Sequence, residues 1–387
     1  MKRLTCHLST ALLIGLLLAG LLLAGLLLAG CGPDWTITVS GPGGQEDTIN
    51  AQTFSALAAF AEEAEGGRIM PLDRALYTFG YRVIAQVRLA AGDEAPQVFA
   101  WPEAADGAWL REDGRVLIDG AEHTVTAITV EPDALLDEVE AHLTDIAPTV
   151  AAALGLRPPE QASGSALTDR RAAHVLMLFL DGFGTVRFTE ARDAGLIPNL
   201  AALDPPLFGL TVYPPVTVVA SATLLTGADP GVHGVEQRGT RRTDSETIFD
   251  VAAEAGLSVV AVEGDALAFE MRSADFTLSG DRDGDGSTDD NVLANALAVL
   301  DEGMPDLLWV HFHGIDDAGH TYGPGAAEES AAVAAVDAAV GQLLERLPPD
   351  TLVLIFADHG MHIVAGEGDH AHLIARDMYI PVFIAAR

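Results

Sequence analysis

The stretch HVLMLFLDGFG, residues 174–184, decides the fold. Residues 175–180 are an unbroken apolar run, too short for a helix of ordinary length and closed by a glycine pair. That pattern suits a strand buried on both faces of a parallel sheet. The run ends on Asp181, and in open α/β sheets the carboxyl ends of strands carry the chemistry. A bare carboxylate there is costly unless it is paired, hydrogen-bonded or bound to a metal. A helix N-cap is the plain alternative for an isolated Asp-Gly after a strand. Partners further along the chain argue against it.

Downstream, apolar runs alternate with helical periodicity. Helices are expected at 186–194, 198–203, 245–255, 290–302 and 326–346, and another opens near Thr217. Strands are expected at 208–213, 257–262, 306–312, 351–357 and 379–385. This predicts an α/β fold with a doubly wound, mostly parallel sheet. Upstream, residues 31–132 predict a small α+β domain. Its strands fall at 35–40, 81–89, 96–101, 115–119 and 123–130, with an Ala-rich helix at 54–65. Nothing in it has catalytic spacing; Gly41-Pro42-Gly43-Gly44 suits a turn, and His123 and the tryptophans suit packing or surface positions. Residues 134–154 predict a helix closed by Gly155, and 157–168 a polar linker. The expected domains are therefore 1–30, 31–132, 133–172 and 173–387.

The chain has 387 residues and a formal net charge of −35, which excludes nucleic acid as an expected partner. Its one lysine is Lys2. A positively charged catalytic centre, such as a metal pair, would help an anionic substrate past this field. Cys6 and Cys31 are the two cysteines, and neither is placed to staple the fold. Both belong to the N-terminus. Lys2 and Arg3 precede a Leu/Ala/Gly tract over 11–30 that ends Leu28-Ala29-Gly30-Cys31. This resembles a bacterial lipoprotein signal, with Cys31 the lipidated first mature residue; an uncleaved membrane anchor is the competing reading. Either way the rest of the chain is expected outside the cytoplasm, tethered to the membrane.

Three further segments carry chemistry. YPPVTVVASATLLTGADPGVHGV (213–235) places Thr217 where a helix starts after two prolines. Alone, Thr217 would be an N-cap. The same geometry puts a hydroxyl at the positive end of a helix dipole, where anions bind and where a nearby metal ion would make it a nucleophile. WVHFHGIDDAGHTYGP (309–324) sets Asp316 and His320 just after a strand, with Asp317 a candidate N-cap or supporting group. His311 and His313 share one face of that strand, which suits core packing as well as the site. The strand at 351–356 runs into ADHGM, giving Asp358 and His359, and GDHAH adds His370 and His372. Carboxylates and imidazoles together suit zinc, and a set this large suits two ions. Two ions can hold both the attacking and the leaving oxygen of an in-line displacement.

With these segments in view, residues from about 174 to 387 resemble the alkaline phosphatase superfamily, most closely its type I phosphodiesterase/nucleotide pyrophosphatase branch. The carriers are Pro214, Thr217, Thr226, Gly227, Pro230, His233 and Gly234, the D-x-x-G-H-x-x-G-P block from Asp316, and Ala357-Asp358-His359-Gly360-Met361. The resemblance implies an alkaline phosphatase-like fold and a metal-dependent phosphoric ester hydrolase with Thr217 as catalytic nucleophile. It implies one metal site of Asp181, Thr217, Asp358 and His359 and a second of Asp316, His320 and His370, holding two Zn2+ or other divalent ions. His370 is chosen over His372 because it lies seven before Asp377-Met378, the family's usual spacing. His233 is then structural. One departure stands out: the branch usually has an asparagine three after the nucleophile, donating to the phosphoryl oxygen, where this chain has Ala220. The alternatives are a phosphotransferase acting on envelope lipids or glycans, a phosphomonoesterase, and a non-catalytic surface lipoprotein. The expected substrate is a small phosphate ester or an envelope component.

Two other signals are independent of this. Asp281, Asp283, Asp285 and Gly286 give the D-x-D-x-D-G opening of a calcium loop; position twelve is Val292, so the bidentate acid is missing and Asp289 or Asp290 would have to substitute, and an acidic surface turn is the alternative. Residues 144–167, TDIAPTVAAALGLRPPEQASGSAL, are similar to a segment that many members of the superfamily carry after their last strand. Here it precedes the first catalytic strand, which implies a circularly permuted catalytic domain. The helix at 146–154 is then expected to pack on the catalytic sheet near 379–385.

Overall fold

The apolar run at 174–180 lies in the middle of an eight-stranded sheet. The computed structural model describes residues 35–387 apart from 93, 137, 265, 266 and 285, so the signal-like tract and Cys31 lie outside the described residues. Among the described residues no helix is long and apolar enough to cross a membrane. The strands of the large sheet are β1 (Ala141–His142), β2 (His174–Leu180), β3 (Leu207–Leu210), β4 (Val259–Glu263), β5 (Asp275–Leu278), β6 (Leu307–Phe312), β7 (Thr351–Phe356) and β8 (Tyr379–Ala386). Their order is β1-β3-β8-β7-β2-β6-β4-β5. Only β8 runs antiparallel to its neighbours; the other pairings are parallel. The fold is thus mixed α/β with a mostly parallel central sheet.

Residues 175–180 and every residue of β6 and β7 are buried, as runs covered on both faces must be. Register does the rest. Leu180 pairs with Phe312 on β6, and Phe179 with Phe356 on β7. The three strands therefore end at one level, and the residues that follow them meet: Asp181 after β2, Asp316 after β6, Asp358 after β7. Besides four-residue turns of helix at Pro198–Ala201, Pro230–His233 and Ala375–Met378, the α-helices after β1 are α1 (Ile146–Leu154), α2 (Thr185–Asp193), α3 (Thr217–Thr226), α4 (Ile248–Glu254), α5 (Asp289–Glu302), α6 (Gly314–Tyr322) and α7 (Ala327–Arg346). A buried Arg187–Glu329 pair, with contacts of 2.7 and 2.6 Å, ties α2 to α7.

Two helix expectations are corrected. The Ala-rich stretch at 54–65 is helical only in Ala51–Ala56 and a short 3-10 turn, Ala58–Phe60. Glu62–Ala64 is instead a strand, hairpinned onto Gly67–Pro71 through a turn at Glu65-Gly66; Gly66 and Gly67 have φ values of +86 and +120. A glycine pair free to take positive φ outweighs alanine's helix propensity. The expected helix at 134–154 begins only at Ile146. The Asp145 carboxylate fixes that start, accepting from the His142 N–H at 2.8 Å and the Ser165 N–H at 2.7 Å. Ahead of it come a 3-10 turn, Leu143–Asp145, and then β1, which pairs with β3, with the Glu140 N–H bonding the Phe208 carbonyl.

α1 lies within the large core, with Ile146, Ala147, Val150 and Ala151 essentially inaccessible to water. It packs on β2, α3 and α4 rather than beside β8, while β1 just ahead of it reaches the sheet edge. The N-terminal unit contains two five-stranded sheets. Its core includes Ile37, Met70, Leu72 and Trp101, and takes in Tyr213, Leu373, Met378 and Tyr379 from the other half of the chain. The small unit is therefore seated on the segment just before β8. The Ile84 N–H donates to the Leu373 carbonyl at 2.7 Å, and the Leu373 N–H donates to the Asp73 carboxylate at 3.2 Å.

Candidate functional site

Three carboxylates converge at the strand tips. Gly182 permits the approach: its φ is +71, and a Cβ there would lie 2.9 Å from Asp316 Oδ1. Thr217 is the first residue of α3, facing the same point with the helix dipole behind it. Its hydroxyl lies 3.3 Å from Asp181 Oδ1 and 3.3 Å from His359 Nε2. Asp358 Oδ1 accepts from the backbone N–H groups of Gly182 at 3.2 Å and His359 at 2.9 Å. Asp181, Asp358 and His359 thus form one cluster with Thr217. Asp316, His320 and His370 form a second, with His320 Nε2 3.3 Å from Asp316 Oδ2 and His370 Nε2 3.8 Å from Asp316 Oδ1.

The imidazoles are oriented from behind. His320 donates from Nδ1 to the Gly368 carbonyl at 2.8 Å, His359 to Gly360 at 3.0 Å, and His370 to Pro215 at 2.7 Å. A proton fixed on Nδ1 leaves Nε2 as the free lone pair in the neutral ring, which is how a ligating histidine is held. The Nε2 atoms of His320 and His370 face one another at 3.2 Å. Asp316 Oδ1 and Asp358 Oδ2 are buried without a hydrogen-bond partner. Two Nε2 atoms turned toward one point and two orphaned carboxylate oxygens fit a pair of divalent cations.

Electrostatics points the same way. Burial first, then the Asp181 and Asp316 charges, pushes Asp358 well above the ordinary carboxylate range. Burial, then Asp181, raises Asp316 as well. Burial would raise Asp181 too, but hydrogen bonds from His311 and His313 outweigh it and hold Asp181 well below that range. Burial, then the neighbouring His370, keeps His359 well below the usual imidazole range, so its ring is neutral.

His311 and His313 are not merely core packing. His311 Nε2 lies 3.2 Å from Asp181 Oδ2, and His311 Nδ1 lies 2.9 Å from Glu263 on β4. His313 bridges the same two carboxylates at 3.4 and 3.3 Å. Trp309 Nε1 donates to Glu263 at 2.6 Å. This buried network sets the charge and orientation of Asp181. Nothing local to Glu263 announces it in the sequence, because its partners lie 46 and 48 residues away on the adjoining strand.

Arg238 was also missed. Its guanidinium Nη2 lies 3.4 Å from His370 Nε2, beside the convergent centre, on a side chain 59 % exposed. His233 is structural in its contacts: Nε2 meets Thr223 Oγ1 at 2.9 Å, Nδ1 accepts from the Val235 N–H, and burial pushes its pKa down to about 4. Ala220 is wholly buried within α3. His372 stays out of the centre and joins Asp73 and Asp106 instead.

Among the described residues the calcium loop contributes no group of three or more metal-ligand side chains. Asp281 accepts from the Gly284 and Gly286 amides at 2.7 and 3.1 Å. Asp289 accepts from the His313 and Gly314 amides, both at 2.9 Å, and so pins the start of α6. Asp285 lies outside the described residues.

The family described as type I phosphodiesterase / nucleotide pyrophosphatase matches residues 175–380, more than half of the chain. Over 84 residues the sequence is 37% identical to the catalytic subunit of GPI ethanolamine phosphate transferase 3 from Mus musculus, and equally to its Homo sapiens counterpart. That match covers 22% of this chain and only 7% of the length of those curated relatives. Among solved structures, phosphonoacetate hydrolase from Sinorhizobium meliloti 1021 aligns with a TM-score of 0.40 at 20% identity, covering 52% of this chain and 61% of that one. Murine ectonucleotide pyrophosphatase / phosphodiesterase 5 aligns with a TM-score of 0.40 at 17% identity, covering 49% and 57%.

Proposed function

This chain belongs to the type I phosphodiesterase / nucleotide pyrophosphatase family, and from that premise we propose that it cleaves a phosphoric ester with Thr217 as nucleophile and two divalent ions, zinc by the character of the donors. The observation that carries the reading is the convergence of Asp181, Thr217, Asp358 and His359 beside Asp316, His320 and His370, with two carboxylate oxygens left orphaned. When bound, such ions supply Lewis-acid stabilisation to the phosphoryl, attacking and leaving oxygens. The chain supplies the rest. Asp181 and His359 each lie within hydrogen-bonding reach of the Thr217 hydroxyl and orient it, and the start of α3 favours its anionic form. Thr217 Oγ1 bonds to phosphorus, the ester P–O bond breaks, and the phospho-threonine then passes its group to water. Turnover of aryl phosphate mono- and diesters by protein saturated with zinc, against the same protein in chelator, tests the activity. No turnover of either class with zinc bound would sink it.

Arg238 fills the role left open by Ala220. Its position beside His370 Nε2 supports a guanidinium that donates to a phosphoryl oxygen. Arg238→Ala is expected to lower kcat by about 10²-fold, the usual cost of one transition-state donor, with metal content unchanged. Arg238→Lys should recover part of the loss. An Ala variant with wild-type kcat would remove Arg238 from the mechanism.

A second reading is transfer of the same phosphoryl-bearing group to an acceptor alcohol, favoured by the 37% match over 84 residues to a phosphate transferase. Product analysis with a soluble alcohol present separates the two: hydrolysis alone leaves free phosphate or phosphomonoester, transfer adds the new ester. On the reading of residues 1–31, the enzyme works outside the cytoplasm, anchored through Cys31. Labelling of cells with a radioactive fatty acid should then mark the wild-type protein and not Cys31→Ser, and equal labelling of the two would count against the anchor.

A further inference from the structure

A second set of metal-ligand types lies apart from the phosphoesterase centre, on the seam between the two halves of the chain. Asp106 comes from the N-terminal unit. His362 and His372 come from the segment after β7, which also carries His370. His362 Nε2 lies 3.2 Å from Asp106 Oδ2, and His372 Nε2 lies 2.9 Å from Asp106 Oδ1. The three donors fall within 4.8 Å of one another.

The two imidazoles are held alike. His362 Nδ1 meets Asp377 Oδ1 at 2.9 Å, and His372 Nδ1 meets Asp73 Oδ2 at 2.8 Å. Asp73 and Asp377 are themselves buried and anchored: Asp73 by Trp101 Nε1 at 2.9 Å, Asp377 by the Ala371 and His372 amides at 3.1 and 3.0 Å. Each ring is thus turned by a buried carboxylate so that Nε2 faces a single shared point, the carboxylate–histidine–metal arrangement occurring twice. The ring centroids lie 5.5 Å apart, so the two Nε2 atoms and the Asp106 carboxylate can converge on one ion.

We propose that Asp106, His362 and His372 form a third divalent-metal site, separate from the phosphoesterase pair, which fastens the N-terminal unit to the segment carrying His370. Two imidazoles and one carboxylate favour zinc, and three protein ligands leave a fourth position for water. The Asp106 side chain is 35% exposed, so the ion has a path in from solvent.

The site is tested on the full chain with zinc as the probe. Crystals equilibrated with zinc, measured at the zinc absorption edge, should show an anomalous peak between Asp106 and the two Nε2 atoms, in addition to any peaks at the Asp181–Asp358 and Asp316–His370 clusters. Each peak is read by its own position, so this site and the phosphoesterase pair stand or fall separately. In solution, equilibrium dialysis should show one zinc fewer for Asp106→Asn than for wild type. Asp106→Asn keeps the shape and an acceptor oxygen, so its fold should persist, and its circular dichroism confirms that. Equal zinc content in wild type and variant, or a map with density at the phosphoesterase clusters and none here, would overturn the proposal and leave an ion-paired clamp. If the variant did not fold, the anomalous map of the wild type alone would decide.

Discussion

Thr217→Ala should reduce turnover by on the order of 10⁴-fold or more while leaving the metal content and the fold intact. The size follows from the role: a nucleophile makes the bond to phosphorus, and no neighbour can take its place. The innocence of the change follows from the structure. Thr217 opens α3 but accepts no capping hydrogen bond there, so its removal does not unpin the helix. Asp181, Asp358 and His359 keep their own supports, which run to His311, Gly182 and Gly360. Thr217→Ser, which keeps the oxygen, should retain substantial activity. The measurements are steady-state turnover of an aryl phosphate ester and metal analysis of the same preparation. An Ala variant that keeps more than about a few per cent of activity would refute the nucleophile, since a surviving route of that size means direct attack by water.

The catalytic strands were legible because each is a buried run ending at a chemically unusual residue. Asp181, Asp316 and Asp358 stand out individually, and only the sheet register makes them one site. Three parallel strands in step bring Asp181 together with residues more than a hundred positions further on. What stayed hidden was support supplied across the fold. Glu263 reads as an ordinary strand end until His311 and Trp309 are seen leaning on it. Arg238 sits in a loop without periodicity, and only its approach to His370 marks it. The N-terminal unit seemed chemically empty for the same reason. Asp73 and Asp106 gain meaning from His362 and His372, which lie more than two hundred and fifty residues further on. The helix errors have the opposite origin: local propensity was read correctly, and pairing with distant strands overrode it, at Glu62–Ala64 and again at Ala141–His142.

Asp358→Asn should abolish turnover yet make the metal-free protein more stable. In the metal-free chain Asp358 is wholly buried, and Oδ2 has no hydrogen-bond partner. That oxygen lies 3.2 Å from His359 Nε2, whose ring donates its Nδ1 proton to Gly360 and so presents a lone pair. Ionised, Asp358 sets acceptor against acceptor in a site that already holds Asp181 and Asp316, which is why it takes up a proton more readily than an ordinary carboxylate. An asparagine keeps Oδ1 as acceptor for the Gly182 and His359 amides. Its amide N–H can then donate to His359 Nε2, converting a repulsion into a hydrogen bond. The gain must depend on pH. Because burial and the neighbouring charges raise the Asp358 pKa in the folded state, its contribution to stability is fully present below the ordinary carboxylate range and is lost as pH rises through the raised value. The variant carries no such loss. In chelator, its melting temperature should therefore exceed that of wild type by about 2–4 °C for each kcal/mol recovered at neutral pH, and the gap should close in acid. With zinc present the order should reverse, since a cation that prefers the native state stabilises only the chain that binds it well. A variant no more stable than wild type in chelator at neutral pH would mean that Asp358 is not a strained, metal-awaiting carboxylate.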